Sequence, residues 1–271
     1  MTILDSDKAF NGSLPTIYDT YLVPLIFEPY AADLAPRLTA RAPARVLEIA
    51  AGTGVVTRAL ASALPGHVSI VATDLNQPML DQAAARGTTR PVEWRQADAM
   101  ALPFDDETFD TVVCQFGVMF FPDKSIAFSE ARRVLRPGGV FVFSVWDRIE
   151  DNDFADCVTT SLEPMFPTDP PRFMARTPHG YCDPSLIERD LAGGGFALPR
   201  LDTVAGRSRA ESARIPAVAF CQGTPLRNEI EERNGTLSAA TALAEEGIAA
   251  RFGSRNIEGR MQALVVTAAR T

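Results

Sequence analysis

Two glycines and two acids are the residues of this chain whose types and spacing point most directly to chemistry. Gly52 and Gly54 stand in Val46-Leu-Glu48-Ile-Ala50-Ala-Gly52-Thr-Gly54, where an apolar stretch runs into a turn and then into a helical pattern over 55–64. Glycine lets a backbone turn sharply and approach a ligand closely, and a strand-to-helix turn puts that ligand past the strand's carboxyl end. Asp74 follows Gly54 by twenty residues, close to the roughly 20 at which an acid after the second strand of a βαβ unit bonds ribose hydroxyls. Asp98, in Asp98-Ala99-Met100, closes the next strand pattern. Two acids at successive strand ends after a glycine turn suggest a nucleoside held at both its sugar and its base. Each feature alone has a plainer reading, since short Gly-x-Gly turns also serve as simple connections and Asp74 could cap a helix. Asn76 is the better-placed cap, which leaves Asp74 for a ligand.

The elements that must position these residues follow from hydrophobic patterning. Strand patterns at 45–50, 68–73, 92–97, 110–115 and 140–146 alternate with helical ones, which predicts an α/β sheet of parallel strands with right-handed crossovers. The helix over 122–135 has a basic last turn and ends at Arg136-Pro137-Gly138-Gly139. Residues 1–41 are expected to form a helical cover, with Pro24 and Pro29 breaking short helices and Tyr18, Tyr21 and Tyr30 offering apolar bodies with polar tips. Residues 42–147 form the ligand-binding core. The composition then changes: 148–199 is rich in Pro and Gly, with helical pieces at 153–165 and 184–192, and reads as a lid. Residues 200–271 supply two late strands, 201–210 and 264–268, with helical stretches at 212–232 and 238–251 between them.

Bulk properties narrow the function classes. With 271 residues, 46% of them hydrophobic and 22% charged, the chain can bury a substantial core as one compact domain with appended covers. A formal charge of −8 argues against a general polyanion binder such as a nucleic-acid protein, and favours a small-molecule partner. No basic leader with an apolar run opens the sequence and no apolar stretch reaches spanning length, so a cytoplasmic protein without stable membrane insertion is expected. The four cysteines form no C-x-x-C pair and there are two histidines, so no metal site is expected. No heptad array is present, which leaves monomer or homodimer.

Taken together these pieces resemble the class I S-adenosylmethionine-dependent methyltransferases. They are nearest the methyltransferase type 11 subgroup that is similar to the ubiquinone and menaquinone biosynthesis enzymes. The resemblance rests on Val-Leu-Glu48-Ile-Ala50-Ala-Gly52-Thr-Gly54, Thr73-Asp74-Leu75, Asp98-Ala99 followed by Met-Ala-Leu-Pro-Phe, Phe-Asp-Thr-Val-Val-Cys, and Leu-Arg-Pro-Gly-Gly, in that order. It implies a Rossmann-like, doubly wound, mainly parallel seven-stranded sheet with an antiparallel last strand and helical lid insertions.

By that resemblance Glu48 and the backbone from Ala50 through Gly52 to Gly54 would hold the methionine end of S-adenosylmethionine, whose product is S-adenosylhomocysteine. Asp74 would bond the ribose, with Leu75 and Met79 near the adenine. Asp98 would accept from the adenine amino group beside Ala99 and Met100, and Gln115 and Phe116 would line the methyl end. Tyr18 and Tyr21 would close over the cofactor. Acceptors usually dock after the fifth strand in such enzymes, which singles out Trp146, Asn152, Phe154 and Phe173. His179 is the histidine placed to act as a general base, although an amine or enolate acceptor needs none and a loop histidine beside Pro and Gly often makes a structural hydrogen bond.

The expected reaction is in-line transfer of a methyl group to O, N or C of a small organic acceptor. An NAD(P)-dependent oxidoreductase is the alternative enzyme class, disfavoured because Thr57 stands where the third glycine of G-x-G-x-x-G is expected. A noncatalytic S-adenosylmethionine-binding module is the alternative outside enzymes.

Overall fold

The computed structural model describes Asp7, Phe10 and residues 12–271; the rest of the expected cover over 1–41, namely 1–6, 8–9 and 11, lies outside the described residues. The chain opens with a short helix α1 (Leu14–Ile17), a π-helix (Tyr18–Phe27) and α2 (Glu28–Thr39). Strand β1 (Arg45–Glu48) leads through the glycine turn into α3 (Val55–Ala63), followed by β2 (Ser69–Asp74), α4 (Gln77–Arg86), β3 (Glu93–Gln96) and β4 (Phe109–Gln115). Next come α5 (Lys124–Val134) and β5 (Leu135–Trp146), then helices α6 (Asp153–Leu162), α7 (Phe173–Arg176) and α8 (Pro184–Gly193). Strand β6 (Arg200–Ser212), helices α9 (Arg214–Gly223), α10 (Leu226–Glu232) and α11 (Leu237–Phe252), and β7 (Arg255–Ala269) complete the chain.

The seven strands lie in the order β3-β2-β1-β4-β5-β7-β6. Strands β1 to β5 pair in parallel, and β7 runs antiparallel to both β5 and β6. The expected sheet is therefore present, with β7 as its single reversed strand. The order reverses between β1 and β4, so the crevice at their carboxyl ends is where a doubly wound sheet receives a ligand. Val46, Val56 and Leu60 pack on one face with Leu34 and Leu38 of α2. The other face carries the larger core, from Leu47, Val112, Phe141 and Phe143 to Val158, Tyr181 and Ile187.

Two elements differ from the sequence reading. Strand β7 begins at Arg255 rather than near 264, and Ala205–Ser212 of β6 pairs with its first half as a ribbon. Asn256, Gly259 and Arg260 interrupt the apolar pattern there, yet Ile257, Gly259, Met261 and Ala263 alternate inward as a strand requires. The expected helix over 212–232 is two helices, α9 and α10, because Thr224 is extended and Pro225 cannot continue the hydrogen-bond ladder. No helix of the described residues is long and apolar enough to cross a membrane.

Candidate active site

The glycine turn is tied to its neighbours by backbone bonds before any side chain acts. Ile49 N–H donates to Val113 at 2.8 Å, Ala51 N–H to Thr73 at 2.8 Å, and Gly54 N–H to Ala51 at 2.9 Å. Ala50, Gly52 and Gly54 all have positive φ (55°, 57° and 80°), a conformation that costs an alanine roughly 1 kcal/mol. Asp74 completes the turn from β2: one carboxylate oxygen accepts from Gly52 N–H at 2.9 Å and the other from Asn76 N–H at 2.8 Å. Asn76 is the N-cap residue of α4, as expected, although its side chain makes no cap bond. Burial raises the Asp74 pKa, against the lowering by these N–H donors.

The end of β4 meets this turn directly. A methyl group placed on Gly117 would lie 2.4 Å from Ala50 Cβ and 2.7 Å from Cys114 Sγ, so the chain must be bare there. Phe116, just before it, has φ of 55°, an outlier for a bulky residue. That strain swings its ring against Trp146 at the end of β5, stacked at 3.8 Å with an interplanar angle of 4°. Tyr30 closes edge-on over both at 5.3 Å.

These pieces enclose a cavity of about 180 Å³. Ala50, Gly52, Asp74, Leu75, Met79, Asp98, Ala99 and Met100 line its sheet end. Gln115, Phe116, Tyr18, Trp146 and Phe173 line the rest, with Leu22, Ile26 and Phe27 of the π-helix and Phe120, Met174, Phe220 and Thr224 from other elements. Thus thirteen of the residues singled out in the sequence share one cavity. The acids Asp74 and Asp98 line it, and no Lys, Arg or His does so among the described residues.

The other expected residues lie elsewhere, each for a physical reason. Glu48 points to the opposite face of β1 from Ile49, as strand alternation demands, and accepts from Thr57 Oγ1 of α3 at 2.6 Å behind the turn. Burial pushes its carboxyl up to about 8, partly offset by the Thr57 bond. Gly54 faces Trp94 Cη2 and Ala83 Cβ, 2.9 and 3.1 Å from where a Cβ would sit, so its close approach is to β3 and α4 rather than to the cavity. Tyr21 is carried off the lining by the π-helix. Its i→i+5 bonding winds wider than an α-helix, which turns Tyr21 further from the face that carries Tyr18, Leu22 and Ile26.

Asn152, Phe154 and His179 line a second pocket. The Asn152 amide holds the β5–β7 edge, donating to the Gln262 carbonyl at 3.2 Å and accepting from Gln262 N–H at 3.1 Å. His179 is buried, which pushes its pKa down to about 4, and its Nδ1 lies 2.8 Å from the Asp147 carbonyl. A position outside the main cavity does not support the general-base role.

The main cavity fits the cofactor implied by the sequence. Gln115 Oε1 is buried without a hydrogen-bond partner while its Nε2 donates to Phe27 O at 3.3 Å, so an acceptor is aimed where an ammonium group could satisfy it. The lining offers the carboxylates of Asp74 and Asp98, and no Lys, Arg or His among the described residues.

Residues 47–143 match the family model described as a methyltransferase domain. An uncharacterized protein of Mycobacterium tuberculosis is 39% identical over 128 residues, covering 45% of this chain and 46% of that protein. The chain thus spans about half the length of the first curated relatives it matches. A ubiquinone/menaquinone biosynthesis C-methyltransferase of Teredinibacter turnerae is 30% identical over 175 residues, covering 60% of this chain and 70% of the relative. Among solved structures, a Haemonchus contortus phosphoethanolamine N-methyltransferase, in complex with phosphomonomethylethanolamine and S-adenosylhomocysteine, superposes with a TM-score of 0.57. It is 17% identical and covers 94% of this chain and 57% of its own, a likeness of fold alone. With the glycine turn, the two strand-end acids and the reversed β7 all on one sheet, these matches make the chain a member of the class I S-adenosylmethionine-dependent methyltransferases, in the subgroup of the ubiquinone and menaquinone biosynthesis enzymes.

Proposed function

We propose that the chain transfers a methyl group to O, N or C of a small, neutral, largely apolar acceptor that brings its own nucleophile. The observation that carries this reading is the division of the main cavity. Acids and a glycine turn line one end, rings line the other, and no basic side chain lines either among the described residues. When bound, S-adenosylmethionine supplies an electrophilic sulfonium methyl group.

In this reading the Asp74 carboxylate, already oriented by Gly52 and Asn76 N–H, accepts from the ribose hydroxyls. Asp98, one oxygen of which is held by Met100 N–H at 2.9 Å, accepts from the adenine amino group. Leu75, Met79, Ala99 and Met100 pack around the base, and Gln115 Oε1 accepts a hydrogen bond from the ammonium end. Phe27, Phe116 and Trp146 present ring faces that favour a nearby cation and exclude water. Tyr18 is held protonated by burial, with Asp74 and Asp19 adding to the effect, so it donates rather than abstracts. With no base at the ring-lined end, the acceptor must be an amine, or a phenol or enol that loses its proton to water rather than to the protein, and catalysis is alignment and dehydration.

Incubation with labelled S-adenosylmethionine and fractionated extract, followed by identification of the labelled product, tests this. A labelled neutral, apolar product is expected. A phosphorylated or carboxylated product would contradict the acceptor class, and cofactor binding without any labelled product would favour a noncatalytic module.

A further inference from the structure

Behind the ring-lined end lies the second pocket, of about 20 Å³, and Ile26, Trp146, Met174 and Phe220 line both cavities. These four side chains form the partition between them. Met174, with three rotatable bonds, is the one best able to yield. Trp146 is flanked by Phe116 at 3.8 Å and by His179 at 6.0 Å between ring centroids. A flat ligand beside Trp146 therefore meets the Gln115–Phe116 strand end on one side and His179 on the other.

Most polar groups of the second pocket are held by neighbours. Asn152 is bonded on both sides of its amide to β7. Ser208 Oγ donates to the Leu25 carbonyl at 2.8 Å, and the Arg260 guanidinium is held by Asp153 at 3.0 Å. His179 is different. A carbonyl only accepts, so the 2.8 Å contact with Asp147 O puts the ring proton on Nδ1 and leaves a lone pair on Nε2. Nε2 has no hydrogen bond to any described residue, in a side chain belonging to a residue only 6% exposed. A donor that enters the pocket can satisfy that lone pair.

We propose that this pocket is a subsite for the end of the acceptor remote from the methylated atom, which it recognises through one hydroxyl or N–H group donated to His179 Nε2. This rests on the methyltransferase reading above. The volume sets the size of the group: a single water needs roughly 10–15 Å³ on this measure, so the pocket takes one hydroxyl-sized group and no ring. The Arg260 guanidinium is already paired with Asp153. The acceptor class is thereby a neutral, apolar molecule with a terminal hydrogen-bond donor.

The test is calorimetric titration of the full chain, saturated with S-adenosylhomocysteine, using the matched probes 2-methoxynaphthalene and 6-methoxy-2-naphthol. The hydroxylated probe is expected to bind roughly tenfold tighter. His179→Phe should erase that difference while leaving S-adenosylhomocysteine affinity unchanged. His179→Gln should restore it, because its amide can donate to Asp147 O and still present a carbonyl oxygen to the pocket. Equal affinities in the wild type, or a preference that survives His179→Phe, would mean that the pocket holds a buried water only and would overturn the subsite. Failure of S-adenosylhomocysteine to bind is a separate result that overturns the cofactor reading. The probe pair then decides the pocket on the unliganded chain by the same two criteria.

Discussion

At the sheet end of the main cavity, ligand-facing groups are held from below by backbone bonds; at the cover end, rings are held by other rings. Asp74 is fixed by two N–H donors, and the turn it steadies is pinned to both β2 and β4. Tyr18, by contrast, is placed by stacking on Phe27 at 5.1 Å, and Phe120 by a tilted contact with Phe173 at 6.4 Å. Hydrogen-bonded ladders allow one register and fail when a single atom is wrong. Apolar packing is a sum over many weak contacts and adapts to small changes. The first end suits a ligand that never varies, and the second one that differs between relatives.

Substitutions should separate the two ends. The largest effect is expected from Gly117→Ala, whose methyl group must displace Ala50 or Cys114. About 3 kcal/mol of stability should be lost, with collapse of S-adenosylhomocysteine binding, read by urea denaturation and calorimetry. Wild-type stability would break the claim that the turn and the β4 end are in obligatory contact. Asp74→Ala comes next. Leaving Gly52 and Asn76 N–H without their acceptor should cost about 2 kcal/mol, with a comparable loss of cofactor affinity and the probe preference at His179 intact.

The third test uses pH. Because burial raises the Glu48 carboxyl to about 8, the folded chain holds a proton that the unfolded chain releases near 4.5. Stability from this group is fully present below pH 4.5 and is lost as pH rises through 8. Glu48→Gln, which mimics the protonated acid, should match the wild type at pH 5 and melt higher at pH 9. Parallel melting curves would instead give Glu48 a charged role at the ligand. The smallest effect is expected at the cover. Ile26→Val should cost about 1 kcal/mol of stability and leave S-adenosylhomocysteine affinity unchanged, and a large loss of that affinity would erase the contrast between the two ends.

The same contrast explains what could be read from the sequence. The glycine turn, Asp74 and Asp98 were legible because strand ends in a doubly wound sheet converge wherever the strands themselves are recognised. Glu48 lies off the cavity lining because strand alternation puts it on the α3 side of β1, opposite Ile49. Tyr18, Leu22 and Ile26 stand at i, i+4 and i+8, a stripe that helical spacing already groups, whereas Tyr21 at i+3 is turned off it by the wider π-helix, which no local pattern announced. Phe220 and Thr224 enter from a distant helix whose break was signalled only by Pro225. His179 is a matter of tertiary placement: its partner is a carbonyl 32 residues away, a contact that no local pattern encodes.

The central claim, that the turn and the two strand-end acids form one cofactor site, is tested most directly by titrating the purified chain with S-adenosylhomocysteine in a calorimeter. Saturable one-to-one binding that Asp74→Ala weakens at least tenfold is the predicted result. No heat from S-adenosylhomocysteine, together with saturable binding of NADH, would contradict it.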